Sequence, residues 1–152
     1  MHLATYIGLL ERGERTLASS FRQVAHGHPE EPDVFHIGLR LAQHCDSHVE
    51  ALSPLVERYG VNAPAEPERL HAQGLETTRA GGLGLLRDLH DLYLLATYLD
   101  MAWTLVGQAA KGARDAEVID VVDRCERETT AHLSWLTTKL KEAAPQALLV
   151  AE

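Results

Sequence analysis

The chain of 152 residues carries 22 acidic residues against 14 Lys and Arg, a formal net charge of −8, with 45% hydrophobic residues. That is enough apolar material for one domain to build its own core without disulfides or metal. The acidity excludes the basic footprint of a nucleic-acid binder and disfavours an anionic membrane surface, and no apolar run approaches the roughly 20 residues of a transmembrane helix.

Leu and Ala dominate and aromatic residues are few, which favours helix. The first predicted helix spans about Leu3 to His26, with a seam of Leu3, Ile7, Leu10, Glu14, Leu17, Phe21 and Val24 at alternating spacings of four and three. Gly27-His28-Pro29 ends it. The second opens near Asp33, an expected N-cap, and closes at Gly60. Its seam is Val34, Ile37, Leu41, Cys45, His48, Leu52, Leu55 and Tyr59, and Pro54 should kink its last turns. The third runs from about Leu83 to Lys111, with Gly112 as the expected C-cap. Its apolar residues cover more than half the circumference, so it is either the most buried element or presents a second face to a partner. The fourth begins after Asp115 and fades near Ala143-Ala144-Pro145, with Val118, Val122, Cys125, Thr129, His132, Leu136 and Leu140 on its seam. The apolar tail of residues 145–152 should pack on the bundle or on a neighbouring subunit.

The connections predict a single all-α domain over residues 1–152. Helices one and two, and helices three and four, are joined by short links and should form antiparallel hairpins. The link over residues 60–82 is long enough to cross the full length of a bundle, so helices two and three should run parallel. A short helix from Leu70 to Thr77 is expected within it. The N-terminal segment has neither the basic region nor the long apolar region of a signal peptide. Together with Cys45 and Cys125, both read as buried thiols, this points to the cytoplasm.

The seams also repeat. The stretch from Arg40 to Leu52 overlays that from Arg124 to Leu136 at an offset of 84 residues, with Arg, His and Leu coinciding and His48 meeting His132. At an offset of 86, Glu14 on the first seam meets Asp100 on the third helix. Each half then sends one carboxylate and one imidazole inward. A lone charge there is costly, and two remedies exist: a hydrogen-bonded carboxylate–imidazole pair, or a bound metal ion. The other histidines, His26, His28, His36, His71 and His90, read as surface or helix-end residues.

With these residues placed, the chain resembles the ferritin-like superfamily, which includes bacterioferritin and rubrerythrin. The likeness lies in the paired hairpins, the long crossover and the inward-facing residues. It implies a di-iron pattern of Glu on helix one, Glu-x-x-His on helix two, Glu on helix three and Glu-x-x-His on helix four. On that pattern Glu14, His48, Asp100 and His132 are the matching metal positions. The two bridging glutamates are replaced by Cys45 and Thr129. His44 and Glu128, one residue away, are set about 100° round their helices and are expected to face neighbouring helices instead. Two functions follow. The favoured one is a non-catalytic ferritin-like bundle with a degenerate site and no cofactor, forming a homodimer or higher homo-oligomer without nucleic acid or membrane. The alternative is a metal-handling protein or oxidoreductase binding a single divalent Fe, Mn or Zn ion through Glu14, His48, Asp100 and His132, with Cys45 as an additional soft ligand.

Overall fold

A computed structural model describes residues 2–60 and 73–150. They form four long helices, α1 (His2–Gly27), α2 (Pro32–Tyr59), α3 (Gly81–Ala113) and α4 (Ala116–Pro145), followed by a single π-helical turn, Gln146–Val150, and contain no strand. The all-α expectation and the four periodic segments are met.

The ends depart from expectation where backbone geometry overrides composition. α2 starts at Pro32, after Glu31 and ahead of Asp33; proline suits a first-turn position because it has no N–H to leave unpaired. The helix runs on through Pro54 and stops at Gly60 in the left-handed region (φ 62°, ψ 52°), whose N–H reaches the carbonyls of Val56 and Glu57. α3 begins at Gly81 and ends at Arg114 (φ 55°) rather than at Gly112. Asp115 is the cap of α4 as expected, its Oδ1 accepting from the Val118 N–H at 3.3 Å. Its Oδ2 accepts from Arg58 at 2.7 Å and from the Tyr59 hydroxyl at 2.6 Å, tying the end of α2 to the start of α4.

Neighbouring helices pair in opposite chain order. Arg22 meets Asp46 and Glu14 meets His48 between α1 and α2. Gly107 meets Val122 and Thr104 meets Glu126 between α3 and α4. Across α2 and α4, Arg58 pairs with Asp115, His48 with Glu128 and Asp33 with Lys139. α1 and α3 approach closely at Gly13, where an added methyl would overlap Cδ2 of the fully buried Leu99. The predicted seams form the core: Ile7, Leu10, Leu17, Phe21 and Val24 from α1, Val34, Leu41, Leu52 and Leu55 from α2, and Val118, Val122 and Leu136 from α4. α3 buries one face and exposes apolar residues on another. Leu89, Leu92, Leu99, Trp103 and Val106 are buried, while Leu83, Leu94, Met101 and Leu105 stand in solvent.

The described part of the crossover lies along α1. Gly74 sits against Thr16 and Ser20, the Leu75 N–H donates to Ser20 Oγ at 3.3 Å, and Thr78 closes on Gly27. Residues 73–77 are not helical, which corrects the described part of the Leu70–Thr77 expectation; residues 70–72 and His71 lie outside the described residues. His28 is also corrected. It is 1% exposed and its Nε2 lies 2.7 Å from Asp88 Oδ2. Asp88 accepts in addition from the Arg79 backbone N–H at 3.0 Å and from Arg79 Nη1 at 2.8 Å. The C-terminal π-turn touches α3 and α4, yet only Ala147 is buried; Leu148, Leu149 and Val150 remain exposed.

Candidate functional site: a buried carboxylate and histidine cluster

Four helices deliver polar side chains to one place in the interior. Glu14 (α1), His48 (α2) and His132 (α4) are at most 1% exposed. They lie where their seams dictate, since a period near 3.6 keeps them in line with leucines that must be buried. Glu14 Oε1 accepts from Trp103 Nε1 of α3 at 2.8 Å. Glu14 Oε2 lies 3.2 Å from His48 Nδ1, within ion-pair reach but out of line for a hydrogen bond, so neither atom has a hydrogen-bond partner. On its other side His48 Nε2 lies 2.9 Å from Glu128 Oε2. His132 Nε2 is 3.3 Å from His44 Nδ1, while its buried Nδ1 has no partner. The cluster opens to solvent through His44 and Glu128, whose side chains are 36% and 33% exposed.

Of the residues singled out from sequence, Glu14, His48 and His132 come together, with the His48 and His132 ring centroids 6.0 Å apart. The half-buried Asp100 does not join them. No hydrogen bond or ion pair links its carboxylate to these three among the described residues. Its surroundings are those of Glu126, whose charge adds to burial in holding the Asp100 carboxyl above its ordinary range. Trp103 takes the α3 position opposite Glu14, supplying a neutral N–H donor where a carboxylate was expected. Glu128 and His44, expected to face away, are in the cluster. The offset of 84 residues carries His44 to Glu128 and His48 to His132, and it exchanges the two observed contacts, His44–His132 and His48–Glu128. The sequence signal that would have found them is therefore the repeat itself, combined with the i,i+4 spacing inside each helix.

Charge is distributed unequally over the imidazoles. Burial alone would hold His48 neutral, but Glu14 and then Glu128 outweigh it and raise its pKa above the usual 6.5. Burial, reinforced by His48 and His44, pushes His132 down to about 3, so it is neutral. The Cys45 thiol is driven up by burial and by the Glu14 carboxylate, and Cys125 is pushed by burial to about 12. Both are free, buried thiols, poorly suited to act as thiolate ligands.

A dinuclear centre does not fit these residues. Where the resemblance stated above would place bridging carboxylates stand Cys45 and Thr129, and the Thr129 hydroxyl is already committed to the Cys125 carbonyl at 2.8 Å. Glu14 and Glu128 are the carboxylates in the cluster, so two divalent ions would leave about two positive charges without compensation in a medium that tolerates them poorly. As the side chains lie, their lone pairs face one another, and among the described residues no group of three His, Cys, Asp or Glu is arranged to hold an ion. What the arrangement does as it stands is hold one imidazole between two carboxylates. Comparison with protein-family models, with curated proteins and with solved structures finds no match.

Proposed function

We propose that this protein is a non-catalytic ferritin-like bundle of two antiparallel hairpins whose function lies in self-association. The opposite chain order of the α1–α2, α3–α4 and α2–α4 pairings supports the hairpin topology, and non-carboxylate residues where the pattern has bridging glutamates support a bundle with the architecture but without the dinuclear chemistry. The observation that carries the association is the outer face of α3. Leu94, Met101 and Leu105 are 58%, 56% and 47% exposed. At 3.6 residues per turn, these three and Leu83 fall within about 40° of one another, a single stripe along the helix. From Leu94 to Gln108 the outward positions Leu94, Thr97, Met101, Leu105 and Gln108 carry no charge, so two copies can approach without desolvating an ion. Exposed apolar surface of this extent usually marks an interface. The π-turn, which touches α3 and α4, adds the exposed apolar side chains of Leu148, Leu149 and Val150. No described helix is long and apolar enough to cross a membrane, so a bilayer-spanning role does not compete for α3. The buried free thiols are in keeping with a reducing, cytoplasmic setting.

Sedimentation equilibrium tests the proposal. The wild type is expected to be a dimer or larger at micromolar concentration, and a Leu94→Lys, Met101→Lys double variant to be a folded monomer. A wild type that stays monomeric at the highest soluble concentration ends it.

A further inference from the structure

The four helices are not held together evenly. Three of their pairings close on a glycine. α1 meets α2 at Gly38, where an added Cβ would lie 3.4 Å from that of Ala25; α1 meets α3 at Gly13 against Leu99, and α3 meets α4 at Gly107 against Val122. Between α2 and α4 no described glycine makes such an approach, and the two backbones run less closely than those of α1 and α3. That edge is spanned instead by long polar side chains in three rungs. Asp33 reaches Lys139 at 2.6 Å, His48 reaches Glu128 at 2.9 Å beside the His44–His132 contact, and Arg58 and Tyr59 reach Asp115. At 1.5 Å per residue the rungs are spread over about 38 Å of α2.

We propose that the bundle opens along the α2–α4 edge, the α1–α2 pair turning against the α3–α4 pair about the Gly13–Leu99 contact, and that the opening brings the cluster of Glu14, His48 and His132 into reach of water and small polar solutes. This goes beyond the association reading and does not depend on it.

Two observations carry the inference together. Each rung keeps one partner, Asp33, Glu128 or Arg58, partly exposed. Water already competes for such groups, so exchanging the pair for hydration costs little. Parting α1 from α3 would instead uncover the fully buried Leu99 and Trp103. The second observation is what lies behind the middle rung. Glu14 Oε2, His48 Nδ1 and His132 Nδ1 are buried there without a partner, and native interiors rarely leave such atoms unsatisfied. Opening hydrates all three, which offsets part of the cost of exposing the apolar surface around them. The loosest edge and the least satisfied polar atoms thus coincide.

The chain carries its own reporters of this motion. Cys45 on α2 and Cys125 on α4 are buried free thiols, and burial and the Glu14 carboxylate both push them up, which places the pair around the cluster. In the closed bundle each is an unreactive thiol; exposure restores the thiolate that attacks a disulfide reagent.

The test is labelling of the native protein with an aromatic disulfide reagent in low urea, with the modified sites mapped by mass spectrometry. Cys45 and Cys125 are expected to react together, at least about tenfold faster than global unfolding permits and with little dependence on urea, as a local opening requires. This first comparison uses the unaltered chain, so it stands whether or not the variants fold. A thiol introduced by Ala96→Cys, fully buried and one turn from Leu99, should react only at the pace of global unfolding. Lys139→Met removes an end rung and should speed labelling of both native thiols about threefold. Native thiols that react only as fast as the chain unfolds, an Ala96→Cys thiol that keeps pace with them, or unchanged rates in Lys139→Met would overturn the proposal.

Discussion

The molecule buries a histidine against carboxylates in two places, and the two are built differently. At the end of the bundle, Asp88 accepts from His28, from the Arg79 backbone and from the Arg79 guanidinium, so both of its oxygens are used. At the centre, Glu14, His48 and His132 each keep a buried polar atom without a partner. A fully satisfied buried network locks one conformation, while a partly satisfied one costs stability that packing alone does not require. The end network is a clamp that fixes the crossover and the start of α3 against the α1–α2 turn. The central one has the character of a site.

Substitutions can break or sharpen that contrast. The largest effect is expected from Asp88→Ala. It leaves the buried His28 and the Arg79 N–H without an acceptor and should lower the unfolding free energy by about 3–5 kcal/mol in urea titration. The pH dependence comes next and has two signs. His132 has a folded pKa of about 3 against 6.5 unfolded. The unfolded chain therefore binds the extra proton, and stability should fall as pH drops from 6.5 towards 3, at up to ~1.4 kcal/mol per unit. His48 has a raised pKa, so its contribution is complete below 6.5 and is lost as pH rises through the folded value. Chemical unfolding across pH should show a maximum between the two regions, and a flat profile would remove the distinction between these imidazoles. His132→Leu should be smaller still, within about 1 kcal/mol of wild type or stabilising, because apolar volume replaces a neutral ring with one orphaned nitrogen and one bonded only to the partly exposed His44. If His132→Leu costs as much as Asp88→Ala, the centre is a structural lock like the end. Thr129→Val should be the mildest at about 0.5–1 kcal/mol, since the hydroxyl serves only the Cys125 carbonyl.

Much of this was legible in the sequence because burial follows periodicity. Leu10, Leu17 and Phe21 fix the inward line on which Glu14 must lie, and Leu41, Leu52 and Leu55 do the same for His48. The errors came where a residue's neighbours, not its own helix, decide its role. Asp100 was paired with Glu14 by counting along α3, but α3 is apolar enough to accept several registers, and the one adopted puts Trp103 there. His44 and Glu128 lie off their helices' seams, so periodicity alone does not place them in the interior. α2 and α4 meet across the cluster, however, and side chains with two or three rotatable bonds reach over 100° of helix surface. His28 does stand at a helix end, but nothing local in the sequence marks it as buried, because its partner Asp88 lies 60 residues away.

One small residue sets the scale of the centre. With a hydrogen for a side chain, Gly13 lets α1 settle onto Leu99 of α3, and its neighbour Glu14 is thereby brought to Trp103. Position 13 thus governs how closely the Leu99 side chain can lie on α1. An alanine there would meet Leu99 Cδ2, the end of a fully buried side chain, so either that methyl or the α1–α3 spacing must give. The absence of one side chain at position 13 is thus part of what seats the Glu14 carboxylate under the Trp103 indole.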